Sequence, residues 1–325
     1  MRVSIVIPLY NVAKYIEDCL ISVANQTFNG ELECVIVDDC SSDSSISVAQ
    51  SFIDGYCGKV DFITVHHDSN RGAAAARNTG IDIATGDYIM FVDGDDWILK
   101  DCVQLLVDCL IYSHDSDLVQ CGIKTTNGSI PLFDFEQNPL PEFCNDRYEI
   151  KTGLLGRGII PNSPCGKLLP LSFMKENHLY FHEGIVMEDE LWVNLLAKHV
   201  MSVSVVNKNL YIYRIREGSV VTSGKGVDPY RKLILYDLMI DTIDEPYIDE
   251  QVDYLIILLD KIYFGNEDLT LRKKVGTLLR KISKFTMGRK KCLLFVRYVL
   301  SQMDSGNKSI AYYLFYRLSL LKIHK

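Results

Sequence analysis

Residues 91–97 read FVDGDDW, with Asp93, Asp95 and Asp96 crowded directly behind the apolar run YIMFV. Adjacent carboxylates repel one another unless a cation or a hydrogen-bond donor offsets their charge. Asp and Gly are also ordinary turn formers, so these residues alone are equally well read as a polar turn. A bound cation would offset such crowding, because hard cations take carboxylate oxygens as ligands. Two other polar clusters follow apolar runs: PLYN at 8–11 and DDCSSD at 38–43. Further along, Glu188, Asp189 and Glu190 open an amphipathic stretch, EDELWVNLLAKH. That cluster can be a catalytic base with its neighbours, or three acids complementing a helix N-terminus.

The elements between these clusters alternate in period. VSIVIPL, LECVIVDD, VDFITV, DYIMFVD and SDLVQCGI are the near-continuous apolar runs of strands covered on both faces. Between them lie helical patterns: 11–25, with Asn11 able to cap and Val12, Ile16, Leu20 and Val23 on one face; a stretch from SSDSS that Gly55 can end; RGAAAARNTGIDIAT, closed by Gly86; and 100–113. Such alternation predicts an α/β/α sandwich with a mostly parallel sheet, whose ligands bind beyond the carboxyl ends of the strands. Three polar clusters at three strand ends are explained by one shared crevice, which separate turns do not explain. Residues 126–225 are rich in Pro and Gly and read as loops with short elements, with SVSVV and LYIYRI as strands. Beyond Pro229 the pattern is helical. The division expected is 1–225, split near 125 into a regular α/β half and a looser half, then a helical region 226–325.

The order PLYN, DDCSSD, NRGAAAARNTGIDIATGDYIMFVDGDDW and MEDELW resembles the family 2 glycosyltransferases of the GT-A fold, over about residues 2–220. The resemblance implies an inverting transferase that takes a nucleotide-activated sugar, usually a UDP-sugar, with Mn²⁺ or Mg²⁺. It implies Asp95 as main metal ligand and Asp93 on the ribose or on a metal-bound water, with Asp96 behind them or capping the helix at 100. It puts Pro8 and Tyr10 at the uracil pocket and Asp39 on uracil N3, while Asp38 and Asp43 serve the turn and the next helix. Arg77 would orient Asp93 or the phosphates. Arg71 would contact phosphate or lie on the surface, and Gly72–Ala76 would let the backbone approach the ligand. Asp189 would be the base, with Glu188 and Lys167 on the acceptor side. Arg216 stands where some members carry a metal-binding His and would face the diphosphate, with Ser219 beside it.

Composition bounds the rest. The chain has 325 residues, 48% hydrophobic and 23% charged, which describes a folded chain of one or two domains. No apolar stretch is long enough to span a bilayer, and the opening residues lack a signal-peptide pattern, so a cytoplasmic protein is expected. Ten cysteines without a C-x-x-C pair indicate reduced thiols rather than a zinc site. Net charge is −8, yet residues 271–325 hold 14 Lys and Arg against Asp304 alone, a net of +13 that leaves −21 for the remainder. With apolar stripes carrying Tyr313, Phe315 and Leu318, this tail suits an anionic membrane surface, or simply a solvated helical face. Nucleic acid is not an expected partner. The reading is transfer of a sugar to a glycan or lipid-linked acceptor in cell-surface polysaccharide synthesis. The competing readings are a non-catalytic sugar-nucleotide-binding or membrane-docking module, and a nucleotidyltransferase, whose glycine-rich basic loop PLYNVAKY does not supply.

Overall fold

The computed structural model describes residues 1–113, 116–126, 133–154, 160–216, 228–243 and 248–285. Two compact units emerge, Met1–Gly184 with Glu188–Gly224, and Ile185–Met187 with Lys225–Lys325.

In the first unit, β1 (Arg2–Leu9), α1 (Ile16–Ala24), β2 (Glu31–Asp38), α2 (Ser45–Gly55), β3 (Asp61–His66), α3 (Ala73–Ile83) and β4 (Tyr88–Phe91) alternate as the apolar runs predict. They are followed by β5 (Trp97–Ile98), α4 (Cys102–Tyr112), β6 (Leu118–Thr125), β7 (Phe143–Cys144) and α5 (Arg147–Leu154). Next come β8 (Lys167–Pro170), α6 (Leu171–Glu176), α7 (Glu188–His199) and β9 (Val203–Tyr213). The strands lie in the order β3-β2-β1-β4-β8-β6-β9-β5, with β7 also on β9. β1 is parallel to β2 and β4, and β2 to β3. β8 then runs antiparallel to both β4 and β6, so the sheet is mixed beyond β4. SVSVV and LYIYRI are one strand, β9, whose pairing with β6 shifts register at Gly122.

Alternation along β1 explains the two cores. Val3, Ile5, Ile7 and Leu9 pack with α1 and α4, while Val6 packs on the opposite face with Val35, Val37 and α3. Helix α3 lies close to this second face because Gly80 has no side chain: a Cβ there would stand 2.2 Å from Val6 Cγ1. Gly86 does not close α3, which ends at Ile83; it packs where a Cβ would meet Ser4 at 2.5 Å.

Asn11 does not cap α1, which begins five residues later. It adopts φ 53°, and its side-chain oxygen accepts from the backbone N–H groups of Ser42 and Asp43 at 2.9 and 3.3 Å. The first polar strand end therefore braces the second. Local capping logic could not see this, because the partners lie about thirty residues away on the neighbouring strand end.

The second unit contains α8 (Pro229–Asp241), α9 (Ile248–Gly265) and α10 (Leu269–Ile282), ending in a short turn at Ser283–Phe285. Asp228 and Asp268 cap α8 and α10 through their carboxylates. Basic side chains of α10 have internal partners: Lys281 pairs with Asp237 and Asp241, and Arg272 and Lys274 lie over Tyr263 and Tyr230. Among the described residues no helix is long and apolar enough to cross a membrane. Tyr313, Phe315 and Leu318 lie outside the described residues.

Candidate active site

The D-x-D loop leaves the carboxyl end of β4, where Val92 N–H donates to Val6 at 3.0 Å and Asp96 N–H turns back to Asp93 O at 2.9 Å. Asp93 N–H donates to the Tyr211 hydroxyl at 3.1 Å, and that hydroxyl donates to Asp96 Oδ2 at 2.7 Å. Arg214 N–H donates to the other Asp96 oxygen at 2.7 Å. Asp96 is fully buried. Burial first, then the neighbouring Asp93 and Asp95, push its carboxyl up to about 8. It caps no helix: α4 begins at Cys102 behind Asp101. Asp96 instead ties the loop to the end of β9.

Asp95 pairs with Arg216 Nε. Its carboxyl is nevertheless raised, because burial and the charge of Asp93 outweigh the guanidinium. Arg214, which the sequence did not single out, has its guanidinium 4.6 Å from the Trp97 ring and 5.1 Å from that of Tyr15. Its Nε donates to Asp95 O at 2.8 Å and its Nη2 to Asp18 at 2.8 Å. Two arginines from one strand end thus hold the loop, one by its backbone and one by its carboxylate.

Arg77 joins this loop to the E-D pair. Its Nη2 donates to Asp93 and its Nη1 to Glu188, each at 2.8 Å, and it stacks 5.3 Å over Phe181. Burial of the guanidinium disfavours its charge, and the two acids outweigh this and hold it protonated. Glu188 and Asp189 sit in the first turn of α7, whose packing on the core is set by Leu191, Trp192 and Leu196. Asp189 accepts from Glu190 N–H at 3.1 Å. Burial and the adjacent Glu188 push its carboxyl up to about 6, against the pull of Arg77. A carboxyl at that value is ionised near neutrality and basic enough to take a proton from a hydroxyl as it reacts.

The other expected residues divide. Pro8 lies at the end of β1, and Tyr10 just after it is 45% exposed, free to stack on a planar ligand. Asp39 is anchored beside them by its N–H to Leu9 O at 2.9 Å. Its carboxylate is buried, accepting from Arg71 N–H at 2.9 Å, Gly72 N–H at 2.7 Å and His67 Nδ1 at 2.7 Å. The Arg71 guanidinium is exposed and pairs with Glu183 at 3.0 Å, so it is the surface alternative that this structure holds. Asp38 accepts from Ser41 N–H, and Asp43 from Ala13 and Ser45 N–H, serving turn and helix start as expected. Gly72 is required by its φ of +91°, and the space where its Cβ would be is open, with no atom within 4 Å. Ala74–Ala76 are buried against the sheet. Lys167 is fully buried, and its Nζ donates to Gln120, Pro161 O and Ser163 O at 2.7–2.8 Å. With three acceptors already taken it braces the 161–163 loop rather than touching a ligand, and burial pushes it down to about 7. Ser219 lies outside the described residues.

Among the described residues no group of three or more His, Cys, Asp or Glu side chains is placed to cage a metal. The donor set still fits a hard divalent cation completed by phosphate and water. Asp93 and Asp95 supply carboxylate oxygens from one loop, whose turn is closed by Asp96 N–H on Asp93 O.

The model of the family "Glycosyl transferase family 2" matches residues 4–176. The chain is 29% identical over 259 residues to the poly(ribitol-phosphate) beta-N-acetylglucosaminyltransferase TarS of Staphylococcus aureus, covering 77% of this chain and 43% of that one. It is 30% identical over 227 residues to the glycosyltransferase GlyG of Streptococcus pneumoniae, covering 67% and 72%. The chain therefore spans less than half the length of TarS. The crystal structure of TarS residues 1–349 with UDP-GlcNAc superposes with a TM-score of 0.73 at 23% identity, covering 93% of this chain and 90% of that one. This gives the α/β sheet, with a helical C-terminal region, the GT-A fold. The mannosyltransferase PcManGT of Pyrobaculum calidifontis, with GDP-Man and Mn²⁺, superposes with a TM-score of 0.56 at 15% identity, covering 99% and 86%.

Proposed function

Because the chain belongs to glycosyl transferase family 2, we propose that it is an inverting, metal-assisted transferase moving a hexose or N-acetylhexosamine from a UDP-sugar to a glycan or lipid-linked acceptor in cell-surface polysaccharide synthesis. The observation that carries this reading is Arg77, which bridges Asp93 of the D-x-D loop to Glu188 of the E-D pair at 2.8 Å on each side. Groups for the leaving diphosphate and for the attacking hydroxyl are thereby held in one rigid frame, as a displacement reaction needs.

In this reading Tyr10 and Pro8 receive the uracil and Asp39 its N–H edge. Asp95, with Asp93, would hold Mn²⁺ or Mg²⁺, and a bound cation would supply charge balance for the departing diphosphate. Arg216 adds positive charge on the same side. The acceptor hydroxyl attacks the anomeric carbon opposite the diphosphate. The carbon–oxygen bond to the diphosphate breaks as the new glycosidic bond forms, and the hydroxyl proton passes to Asp189. Glu188, fixed by Arg77, keeps the local field negative and Asp189 basic. TarS, a poly(ribitol-phosphate) beta-N-acetylglucosaminyltransferase, supports transfer of a sugar to a polymer acceptor, and GlyG is likewise a glycosyltransferase.

The test is a panel of nucleotide sugars scored by thermal shift with Mn²⁺, and by release of nucleoside diphosphate. Stabilisation and slow hydrolysis with one UDP-sugar, both lost in Asp95→Ala, are the expected results. Binding of UDP-sugars without turnover under any acceptor would favour the non-catalytic reading. The basic 271–325 segment supports attachment to an anionic membrane surface, each basic residue contributing on the order of 1 kcal/mol near such a leaflet. Co-sedimentation with anionic but not neutral vesicles checks it.

A further inference from the structure

We infer that His67 and Thr79 set the nucleobase selectivity of the site by fixing the Asp39 carboxylate as an acceptor, without themselves touching the donor. The inference rests on the uridine reading above and adds to it two residues to which the resemblance assigns no role.

Asp39 Oδ1 is filled twice, by His67 Nδ1 at 2.7 Å and Arg71 N–H at 2.9 Å. Oδ2 is filled once, by Gly72 N–H at 2.7 Å. A carboxylate oxygen has two lone pairs, so Oδ2 retains one. Beside it the chain is open: Gly72 carries no side chain, and no atom lies within 4 Å of where one would begin. Uracil presents an N–H at N3 and can fill that lone pair. Cytosine presents an acceptor at N3 and would set lone pair against lone pair, a mismatch that polar sites reject strongly.

This discrimination holds only while Asp39 stays an acceptor in one orientation, and His67 enforces both conditions. Its side chain is 6% exposed. The other ring nitrogen, Nε2, stands 2.9 Å from Thr79 Oγ1 on α3. Because Nδ1 faces a carboxylate oxygen, it must carry a ring proton. Nε2 then either accepts from the Thr79 hydroxyl or, if it too carries a proton, donates to it, and in both cases Nδ1–H stays aimed at Asp39. Without His67, Oδ1 loses a donor and the carboxyl can rotate, which turns its open lone pair away from the base.

The test uses the full chain and free UDP and CDP as probes, titrated calorimetrically, with melting temperature followed in parallel. The wild type should prefer UDP by up to about a hundredfold, the scale for a buried polar group left unpaired. His67→Leu should cut that preference at least about tenfold, as expected for loss of a hydrogen bond to a charged group. His67→Asn keeps an N–H near the Nδ1 position and should recover most of it. Thr79→Val retains the ring and its packing, and should lower the preference less. Nitrogen-15 spectra of the ligand-free chain should show a proton on His67 Nδ1. A His67→Leu or Thr79→Val chain that melts earlier but keeps the full UDP preference would mean that the pair is structural only. The Nε2–H tautomer would overturn the proposal as well. Wild-type chain binding UDP no tighter than CDP would overturn the uridine reading itself, and this inference with it.

Discussion

Replacing Asp189 by Asn should abolish transfer while making the protein more stable, and the two effects share one cause. Burial and the charge of Glu188 raise this carboxyl from 3.8 to about 6, with Asp93 adding in the same direction. A rise of about 2 units corresponds to roughly 3 kcal/mol by which the folded chain disfavours the ionised form. Asp189 is half-buried rather than fully enclosed, so screening brings the usable figure to about 1–2 kcal/mol. The sign follows from proton linkage: an acid raised on folding costs nothing below its unfolded value. The cost then grows between about pH 4 and 6, and is fully present above about 6. Asn keeps the shape and has no such cost, so the stability gap between variant and wild type should open over that interval and stay level at neutral pH. Each kcal/mol is worth about 2–4 °C in melting temperature for a unit of this size. Donor binding should survive, and transfer should fall by about 10²–10⁴-fold, the contribution of a positioned base. In the wild type, transfer should fall about tenfold per pH unit below about 6, as the base becomes protonated. Melting curves at pH 4, 5, 6 and 7.5, with UDP titration and turnover for both chains, measure all of this. If these acids merely complement the dipole of α7, removing one lowers stability by about 0.3–1 kcal/mol instead. A lower melting temperature for Asp189→Asn at neutral pH, with transfer intact, would refute the reasoning.

Other changes test the frame around that base. Asp95→Ala should lose more than about 10²-fold in turnover, the scale of a missing electrostatic stabiliser, and should weaken Mn²⁺ binding measured by calorimetry in the presence of UDP. Lys167 is pushed down to about 7, so the folded chain binds fewer protons than the unfolded one above that value. Stability should therefore rise from about pH 7 towards 10, a slope that denaturant titrations should find missing in Lys167→Met. Gly80→Ala drives a methyl group into Val6 and should cost about 1–3 kcal/mol by chemical denaturation, with the UDP affinity of the surviving folded protein unchanged.

Much of the proposed site can be read from the sequence because its residues follow buried strands or, like Asp189, open a helix. A continuous apolar run such as VSIVIPL has no local reason to end in a polar cluster, so Tyr10, Asp39 and Asp93 stand out as strand-end residues of one crevice. The fold beyond β4 was less legible because β8 is only four residues, KLLP, and its antiparallel pairing is fixed by contacts with β4 and β6. No periodicity can register in so short a run.

What the sequence could not display is how each acid is held. Tyr211 reads as a strand aromatic, yet it is the hydroxyl between Asp93 and Asp96, well over a hundred residues away along the chain. Lys167 looks like a cation available to a ligand, and burial turns it into a clamp for three oxygens. His67 carries no motif, and its meaning comes only from Asp39 on one side and Thr79 on the other. The difference is physical. A residue that touches the substrate must sit at a strand end or helix start, and those places leave a pattern. A residue that fixes the charge or orientation of another needs only to be near it in space, and any buried position on an adjoining element will serve. Arg77 belongs to both groups: it lies on α3 in the middle of a recognisable run, but its work is to join Asp93 to Glu188. A substitution there should therefore disturb leaving-group and acceptor sides together, whereas Asp95 and Asp189 can be perturbed one at a time.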